Sequence, residues 1–297
     1  MADQRDEKAG IVGVFDRAAP AYGQGEGDLF GQVAADLVYA ARLTAGQRVL
    51  DVGCGRGANL FLAADAVGPT GRVTGIDLAP TMVSETAAEI SRRGLTHVEV
   101  RLGDAEAPDV PAGTLDAVLA GLVIFFLPDP GAAVRAYRRL LRPGGRLALS
   151  TFPEERKTDV NIRDVLGRAL TPFLPARSDP PAPSDAAPTG GPNGDDRSGP
   201  ESRTRTRKSL TELLRAGGFT EVRFVERKYR LWFADGEHYW HWLWSHGARA
   251  AVEQVPAGQL DEARDAVAAV ATELLEPADG GGLNLHIRVR LTTAVAA

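Results

Sequence analysis

The chain has 297 residues, of which 44% are hydrophobic and 25% are charged, close to the averages for globular domains. Its formal net charge of -5 at pH 7 argues against nucleic acid as a partner, because nucleic-acid binding depends on a basic surface. The single cysteine, Cys54, excludes an intramolecular disulfide and a zinc site built from several cysteines. The charged N-terminus lacks the apolar segment of a signal peptide, and the sequence contains no apolar run long enough for a membrane span. We therefore expect a cytoplasmic protein without a membrane or metal partner.

The first half of the chain predicts helices followed by alternating strands and helices. Apolar residues fall at helical spacing across residues 11–45, with a loop at 18–27 that contains Pro20 and three glycines. The predicted strands are residues 48–53, 72–78, 98–104, a fourth beginning at 115, and 146–152, and the predicted helices are 58–67, 79–94 and 131–145. This alternation indicates an α/β fold, a Rossmann-like parallel sheet with helices on both faces.

The second half predicts an insertion and then the completion of the sheet. Residues 156–174 fit a helix, and residues 177–208 hold almost no large apolar side chain, which predicts a flexible linker. A helix (209–219), a strand (221–233), a long helical region (236–275) and a last strand (283–295) follow. The predicted segments are a helical cap (1–45), a cofactor-binding core (46–153), an insertion with the linker (154–208) and a completion of the sheet with a helical lid (209–297).

A strand, a glycine-rich turn and a helix follow one another in "VLDVGCGRGANL", residues 49–60. Glycines let backbone N–H groups approach a ligand closely, but their spacing fits a nicotinamide or flavin dinucleotide as well as S-adenosylmethionine. Asp77, at the end of the second strand, suits the ribose of any of these cofactors. Asp51 lies inside the first strand, where a pyrophosphate gains nothing from a negative charge. Because S-adenosylmethionine carries an ammonium and a sulfonium group, Asp51 favours that cofactor.

Further segments agree with this choice. Asp104 ends the third strand, "LRPGGRLALS" forms a turn before the fifth, and the last strand suits an antiparallel insertion beside the sixth. With "VLDVGCGRGANL", "VTGIDLAPTM", "GDAEAPDVPAGTLDAV" and "LLRPGGRLALS" in this order, the chain resembles class I S-adenosylmethionine-dependent methyltransferases. The opening "FDRAAPAYG" resembles their ubiquinone/menaquinone branch of small-molecule enzymes. The resemblance covers residues 11 to about 153 and the terminal strands, and it implies a seven-stranded, mostly parallel sheet with the last strand antiparallel and helical lid insertions.

The resemblance also implies a set of cofactor contacts. The methionine end would be lined by Asp51, Gly53, Cys54 and Gly55, and the ribose would be bound by Asp77. The adenine would be surrounded by Leu78, Met82, Gly103, Asp104 and Ala105. The sulfonium would lie over Ala120 and Gly121, and Tyr22 would close over the cofactor. Simpler interpretations stay open for four of them. Asp77 could cap a helix, Asp104 could stabilise a turn, Tyr22 could cover apolar surface, and Cys54 could fill space between glycines.

The acceptor side is best represented by "EHYWHWLWSHGAR", residues 237–249. On a helix Trp240, Trp244 and Gly247 share one face and Trp242 and His246 another. An insertion after the sixth strand can fold over the carboxyl ends of the central strands, where open α/β sheets bind ligands. We therefore predict a bulky apolar or aromatic acceptor that contacts Phe125, Trp240 and Trp244.

Three histidines are candidates for a general base, which is needed only if the acceptor must lose a proton. His238, His241 and His246 qualify because an imidazole titrates near neutrality, and His246 ranks first because it adjoins a glycine amid apolar neighbours. Structural roles for the tryptophans and histidines remain open, as does core packing of Phe125 with Phe126. Arg249 could orient an anionic group or pair with Glu253, and the basic run at 203–208 could be a docking patch or a solvated linker.

The predicted function is methyl transfer from S-adenosylmethionine to an oxygen, nitrogen or carbon atom of a small molecule in specialised biosynthesis. One alternative keeps the fold and cofactor but catalyses a cyclisation, decarboxylation or hydroxylation. Two others are a nicotinamide-dependent oxidoreductase and a non-enzymatic binding protein that recruits a partner through residues 177–208. The sequence indicates no oligomeric state.

Overall fold

The computed structural model describes residues 2–23, 28–154, 156, 159–174 and 202–297. Most of the predicted linker at 177–208 lies outside these residues. Its last residues are helical, contrary to the linker prediction. Thr206 explains the helix that follows, because its hydroxyl oxygen accepts a hydrogen bond from the Ser209 N–H (2.9 Å) and caps the first turn.

The described residues form helices and strands in the predicted alternation. The helices are α1 (Ala2–Ala18), α2 (Leu29–Ala41), α3 (Ala58–Val67), α4 (Pro80–Arg92), α5 (Pro130–Leu140), α6 (Ile162–Leu170), α7 (Ser202–Arg205), α8 (Arg207–Ala216), α9 (Gly236–Trp244), α10 (Arg249–Val252) and α11 (Leu260–Leu274). The strands are β1 (Arg48–Val52), β2 (Arg72–Asp77), β3 (Val98–Leu102), β4 (Leu115–Gly121), β5 (Leu141–Thr151), β6 (Phe219–Phe233), β7 (Glu276–Pro277) and β8 (Leu283–Ala296). Short 3₁₀ helices span Ile124–Phe126, Thr171–Phe173 and Ala257–Gln259.

Within the described chain, eight strands form one sheet in the order β3-β2-β1-β4-β5-β8-β6, with β7 paired to β8. The first five strands pair in parallel, whereas β8 runs antiparallel to β5. The α/β fold and the antiparallel last strand beside the sixth are thus confirmed. The strand count exceeds the predicted seven because the two-residue β7, which carries no strand signal in the sequence, pairs with the start of β8.

The centre of the sheet is covered on both faces, so β1 and β4 are almost continuously buried. Four of the five residues of β1 are buried, and six of the seven in β4. One face packs on α5 and α8 through buried side chains of Leu50, Val118, Leu147, Leu149, Tyr137, Leu140, Leu210 and Leu214. This apolar core holds the carboxyl ends of β1, β2 and β4 in fixed positions.

Several predicted boundaries differ from the structure, two of them substantially. The helix predicted at 131–145 ends at Leu140, and Leu141–Thr151 form one strand whose register with β4 shifts between Leu115 and Ala117. Pro143 and Gly144 lie in this irregular stretch, because proline cannot donate a ladder hydrogen bond and Gly144 has φ +76°. The long helical region at 236–275 is broken into α9, α10 and α11.

The chain divides into two compact units, each described by itself. The core unit comprises the described residues within Phe30–Glu154, Asp196–Arg227 and Arg288–Ala297. The helical unit comprises those within Met1–Leu29, Glu155–Asp195 and Lys228–Ile287, where α11 packs on α6 and α9. In the part of the chain described, no helix is long and apolar enough to cross a bilayer. The four segment boundaries drawn from the sequence stay a prediction.

Candidate functional site

The glycine-rich turn after β1 needs glycine for reasons of both backbone and space. Gly53, Gly55 and Gly57 have φ values of 60°, 51° and 83°, which L-residues with side chains rarely adopt. A Cβ atom on Gly53 would also lie 2.4 Å from the Val123 side chain. Thr86 of α4 donates a hydrogen bond from its hydroxyl to the Gly55 carbonyl (2.9 Å). The turn is therefore fixed by its backbone conformation and by the buried Thr86, a contact that no sequence motif predicts.

Asp51 is fully buried beside this turn. Its Oδ1 accepts a hydrogen bond from Asn59 Nδ2 at 3.4 Å, and burial, together with the charge of Asp77, raises the pKa of Asp51 to about 8. Neither Asp51 Oδ2 nor Asn59 Oδ1 has a hydrogen-bond partner among the described residues, although both atoms are buried. Because a buried acceptor without a donor is costly, this pair fits a ligand that carries a cationic N–H group.

Asp77 joins the glycine turn to the start of α4. Its Oδ2 accepts from the Gly55 N–H (2.8 Å) and its Oδ1 from the Ala79 N–H (2.9 Å), and burial raises its pKa. Ala79 is the N-cap residue of α4, so Asp77 stabilises the helix start from two residues before it. A carboxylate has about four acceptor positions, so these two bonds are compatible with additional bonds to ribose hydroxyls.

Apolar residues lie at or just after the ends of β2 and β3 and in α4. Leu78 and Leu102 are partly exposed, at 37% and 56%, whereas Met82 and Ala105 are buried. Asp104 Oδ1 accepts from the Glu106 N–H (2.9 Å), as expected for the turn interpretation of this residue. The two exposed leucines offer apolar surface of the kind that a planar base covers.

The end of β4 has an unusual backbone. Ala120 is buried, and a Cβ atom on Gly121 would lie 2.3 Å from Asn59 Nδ2. Leu122 has φ +51°, and its N–H donates to Ser150 Oγ (2.9 Å). A left-handed conformation costs a leucine about 1–2 kcal/mol, and strained residues of this kind cluster at functional sites. No residue preference in the sequence predicts it.

Phe125 lies in the 3₁₀ helix after this strand. It is buried, and its ring centroid lies 4.6 Å from that of Phe126 and 5.3 Å from that of Phe152. Phe152 follows β5 and is 37% exposed. The three rings therefore form a cluster at the carboxyl ends of β4 and β5 within the core unit.

The three candidate histidines lie in the helical unit and differ in their hydrogen bonds. His246 is buried, and its Nδ1 accepts from the Ala248 N–H (3.2 Å); burial lowers its pKa to about 4. His238 Nδ1 accepts from the Ala234 N–H (3.1 Å). Exposed His241 has its Nδ1 2.9 Å from the Glu237 carbonyl, which can only accept, so this nitrogen carries the proton.

The aromatic residues of α9 pack on two sides, as the helical spacing predicts. Trp240 and Trp244 are in edge contact at 5.8 Å, and Trp242 lies 4.1 Å from the His246 ring. Helix α9 ends at Trp244, however, so Gly247 lies beyond the helix and does not share its face. The predicted pairing of Arg249 with Glu253 is confirmed at 2.6 Å.

Tyr22 also belongs to the helical unit. It follows α1 and is half-buried, with its ring in edge contact with Phe15 at 6.1 Å. The other predicted cofactor residues, from Asp51 to Gly121, lie in the core unit.

Known proteins resemble this chain in sequence. A family model described as "Methyltransferase domain" matches residues 50–149. Nocamycin O-methyltransferase of Saccharothrix syringae is 38% identical over 270 residues, which cover 88% of each chain. The chain belongs to the class I S-adenosylmethionine-dependent methyltransferases.

Two further comparisons extend this result for the methyltransferase. The aklanonic acid methyltransferase of Streptomyces sp. (strain C5) is 36% identical over 176 residues, covering 59% of this chain and 74% of that relative. The solved structure of the [4+2]-cyclase SpnF has a TM-score of 0.53 at 20% identity, covering 99% of this chain and 96% of that chain. At that identity the structural likeness shows the fold alone.

The cofactor of this methyltransferase is S-adenosylmethionine, and the residues at the glycine turn fit it. The buried oxygens of Asp51 and Asn59 suit the ammonium of its methionine part, since ammonium supplies only donors. Cys54 is buried, and burial raises the pKa of its thiol, so it suits the space-filling role better than that of a nucleophile.

Three residues of the site, Asn59, Thr86 and Leu122, are not predicted by the sequence motifs. Asn59 left a weak signal, because it is the polar residue at the start of the apolar helix sequence "ANLFLAADAV". The sequence contains no signal for Thr86, because its hydrogen-bond partner is a backbone carbonyl 31 residues away in the chain.

Proposed function

We propose that the chain transfers the methyl group of S-adenosylmethionine to an oxygen atom of a bulky, largely apolar natural product. The observation that carries the proposal is the 38% identity to nocamycin O-methyltransferase over 88% of both chains. The second relative is named for aklanonic acid, another natural product. An apolar acceptor also agrees with the aromatic residues at 125, 126 and 152 of the core unit.

Methyl transfer from a sulfonium is an in-line displacement with a good leaving group, so the protein contributes mainly position and a dry environment. S-adenosylmethionine supplies the electrophilic methyl group when bound. Asp51 would hold the ammonium, Asp77 the ribose hydroxyls, and Leu78 and Met82 the adenine. Gly121, with no side chain, would let the backbone at the end of β4 approach the sulfonium. The proposal carries over the cofactor contacts that the resemblance implies for a further set of residues: Gly53, Cys54, Gly55, Gly103, Asp104, Ala105, Ala120 and Tyr22.

An oxygen acceptor such as an enol or phenol must lose a proton. The hydrogen bonds favour His241 for this role, because its protonated Nδ1 leaves Nε2 as a proton acceptor. His246, which ranks first in the sequence-based prediction, uses Nδ1 as an acceptor, as His238 does, so its neutral ring carries the proton on Nε2. Contacts of the acceptor with Phe125, Trp240 and Trp244 stay a prediction.

The test is an assay with the purified full chain, S-adenosylmethionine carrying an isotopically labelled methyl group, and polycyclic acceptors with enol, phenol or carboxyl groups. We expect a product that is heavier by one methylene unit with the labelled methyl on oxygen. His241→Gln should lower turnover by about 10²–10⁴-fold if it is the base, with His246→Gln as its matched comparison. A label on carbon or nitrogen would overturn the oxygen assignment.

The alternative of a non-methylating reaction is tested by the same samples. The SpnF likeness reflects the fold, and a fold does not decide chemistry. A product of unchanged mass, formed without consumption of the cofactor, would favour that alternative over methyl transfer.

A further inference from the structure

Asn59 is a buried polar residue to which the sequence motifs assign no role. It lies in the first turn of α3 and is 7% exposed. Its amide nitrogen donates to Asp51 Oδ1 at 3.4 Å, which leaves its own Oδ1 buried without a hydrogen-bond partner in the described ranges. Asp51 Oδ2 is likewise buried without a hydrogen-bond partner among the described residues. Two buried oxygens from adjacent side chains therefore lack donors.

The backbone of two neighbouring strands fixes this amide. Asp51 lies on β1 opposite Leu119 of β4, and Gly121 follows two residues later. A Cβ atom on Gly121 would lie 2.3 Å from Asn59 Nδ2 and 3.3 Å from its Oδ1. Asn59 thus occupies the space that the missing side chain of Gly121 leaves, with one side of its amide against the carboxylate of Asp51.

We propose that Asn59 is a positioning residue of the cofactor site. Its Nδ2 holds the Asp51 carboxylate in place. Asn59 Oδ1 and Asp51 Oδ2, both buried without a partner among the described residues, together accept the N–H groups of the cofactor's α-ammonium. The ligand that satisfies both oxygens must therefore carry the amino acid part of the cofactor. The inference concerns the methyl donor and is independent of which acceptor is methylated.

A neutral amide suits this position better than a second acid. The ionisable groups that face Asp51 are Asp77, whose charge raises the pKa of Asp51, and the buried thiol of Cys54. The hydrogen bonds from the Asn59 amide and, less strongly, from the Leu60 backbone N–H act in the opposite direction and lower the pKa of Asp51. An aspartate at position 59 would add repulsion, and an apolar residue would remove the hydrogen bond.

The ionisation of Asp51 gives a readout that a purely structural role would not change. With a pKa of about 8 in the free protein, Asp51 is mostly protonated at pH 7 and must release its proton to pair with an ammonium group. Affinity for a ligand with that group should therefore rise with pH up to about 8, above which the ligand's own ammonium begins to lose its proton. Without Asn59 the pKa of Asp51 rises, so the midpoint of this curve should move to higher pH.

The experiment compares two ligands by calorimetry on the full-length chain. S-adenosylhomocysteine carries the ammonium group, and 5′-methylthioadenosine shares the adenosine and sulfur but lacks it. Asn59→Leu, which keeps the size and removes the polar atoms, should weaken S-adenosylhomocysteine by about 10- to 100-fold, the range for a hydrogen bond to a charged group. Binding of 5′-methylthioadenosine should stay within about twofold. Asn284→Leu, a buried asparagine of the helical unit, is the matched control and should leave both affinities unchanged.

Equal weakening of both ligands would overturn the proposal, because it would show a general disturbance of the turn. An unchanged affinity for S-adenosylhomocysteine with an unmoved pH midpoint would overturn it as well. If the leucine variant fails to fold, the affinities of Asn59→Ala for the same two ligands are measured instead and are interpreted in the same way. Failure of the unchanged protein to bind S-adenosylhomocysteine would instead contradict the cofactor assignment.

Discussion

Asp51 and His246 are both buried ionisable residues, and burial favours the neutral form of each. For the acid this raises the pKa to about 8, and for the imidazole it lowers the pKa to about 4. A cationic group bound beside Asp51 favours the ionised form of its carboxyl group. His246 accepts a backbone N–H within its own unit, and its ring packs on Trp242. Burial therefore leaves Asp51 ready to pair with a cationic ligand. The burial of His246 makes the stability of the protein decrease at low pH.

Replacement of His246 by glutamine should make the protein less sensitive to acid. The folded pKa of about 4 lies below the ordinary 6.5, so the stabilising effect of the neutral ring is complete above pH 6.5 and is lost as the pH falls towards 4. Between pH 7 and pH 5 this loss amounts to roughly 2 kcal/mol of unfolding free energy in the unchanged protein. We expect urea unfolding of His246→Gln to show a smaller decrease over that interval.

His241→Gln is the matched control for this experiment, because His241 is exposed on the preceding helix. It should leave the pH dependence of unfolding as it is. If both variants behave alike, the acid sensitivity comes from other groups.

At the level of elements, the site depends on how closely the start of α3 approaches the end of β4. Asn59 of α3 fills the space beside Gly121 of β4, and the chain then turns through the left-handed Leu122. Gly121 does not have a positive φ, so its requirement for glycine is one of space rather than of backbone conformation. Helix and strand are therefore coupled through one pair of residues.

Gly121→Ala should destabilise the protein by about 1–3 kcal/mol through overpacking against Asn59. The same change made in an Asn59→Ala background should cost less, because the clashing amide is absent. Urea unfolding of the four proteins in this cycle measures the coupling, which should exceed about 0.5 kcal/mol.

Gly167→Ala is the control for a glycine without close neighbours. It lies inside α6 with no atom within 4 Å of an added Cβ, so the change should stabilise by about 0.5–1 kcal/mol. Equal penalties for Gly121→Ala in both backgrounds would show that Asn59 is not the obstacle.

For the molecule as a whole, the predicted cofactor residues other than Tyr22 belong to the core unit, and the candidate histidines belong to the helical unit. The core unit also contains the residues 50–149 that match the family. A ligand that binds the folded core and not the unfolded chain must stabilise it by mass action. The choice of ligand then separates the cofactor classes that the glycine spacing left open.

S-adenosylhomocysteine should raise the stability of the whole chain by about 2.7 kcal/mol at roughly 100 times its Kd. Thermal unfolding with increasing ligand measures the effect as a rise in Tm. NAD and NADP at the same concentrations should leave Tm unchanged. A rise with a nicotinamide dinucleotide alone would support the oxidoreductase alternative.

The fold followed from local patterns of the sequence. The alternation of apolar strands with helices of ten or more residues determined the parallel sheet, because only helices on both faces can bury such strands. Boundaries were less predictable where local and tertiary preferences compete. Leu141 continues a helical pattern but pairs with Leu115 of β4 and joins the strand instead.

The sequence by itself determined the family and the glycine turn, because each depends on residues close together in the chain. Only the tertiary structure decided the partners of Asp51: Asn59 reaches it from the next helix, and Asp77 from the next strand. It also decided the histidine tautomers and the strain at Leu122, since hydrogen bonds such as that from Leu122 to Ser150 join strands far apart in sequence. Burial and the positions of donors are properties of packing, and no local pattern of residues encodes them.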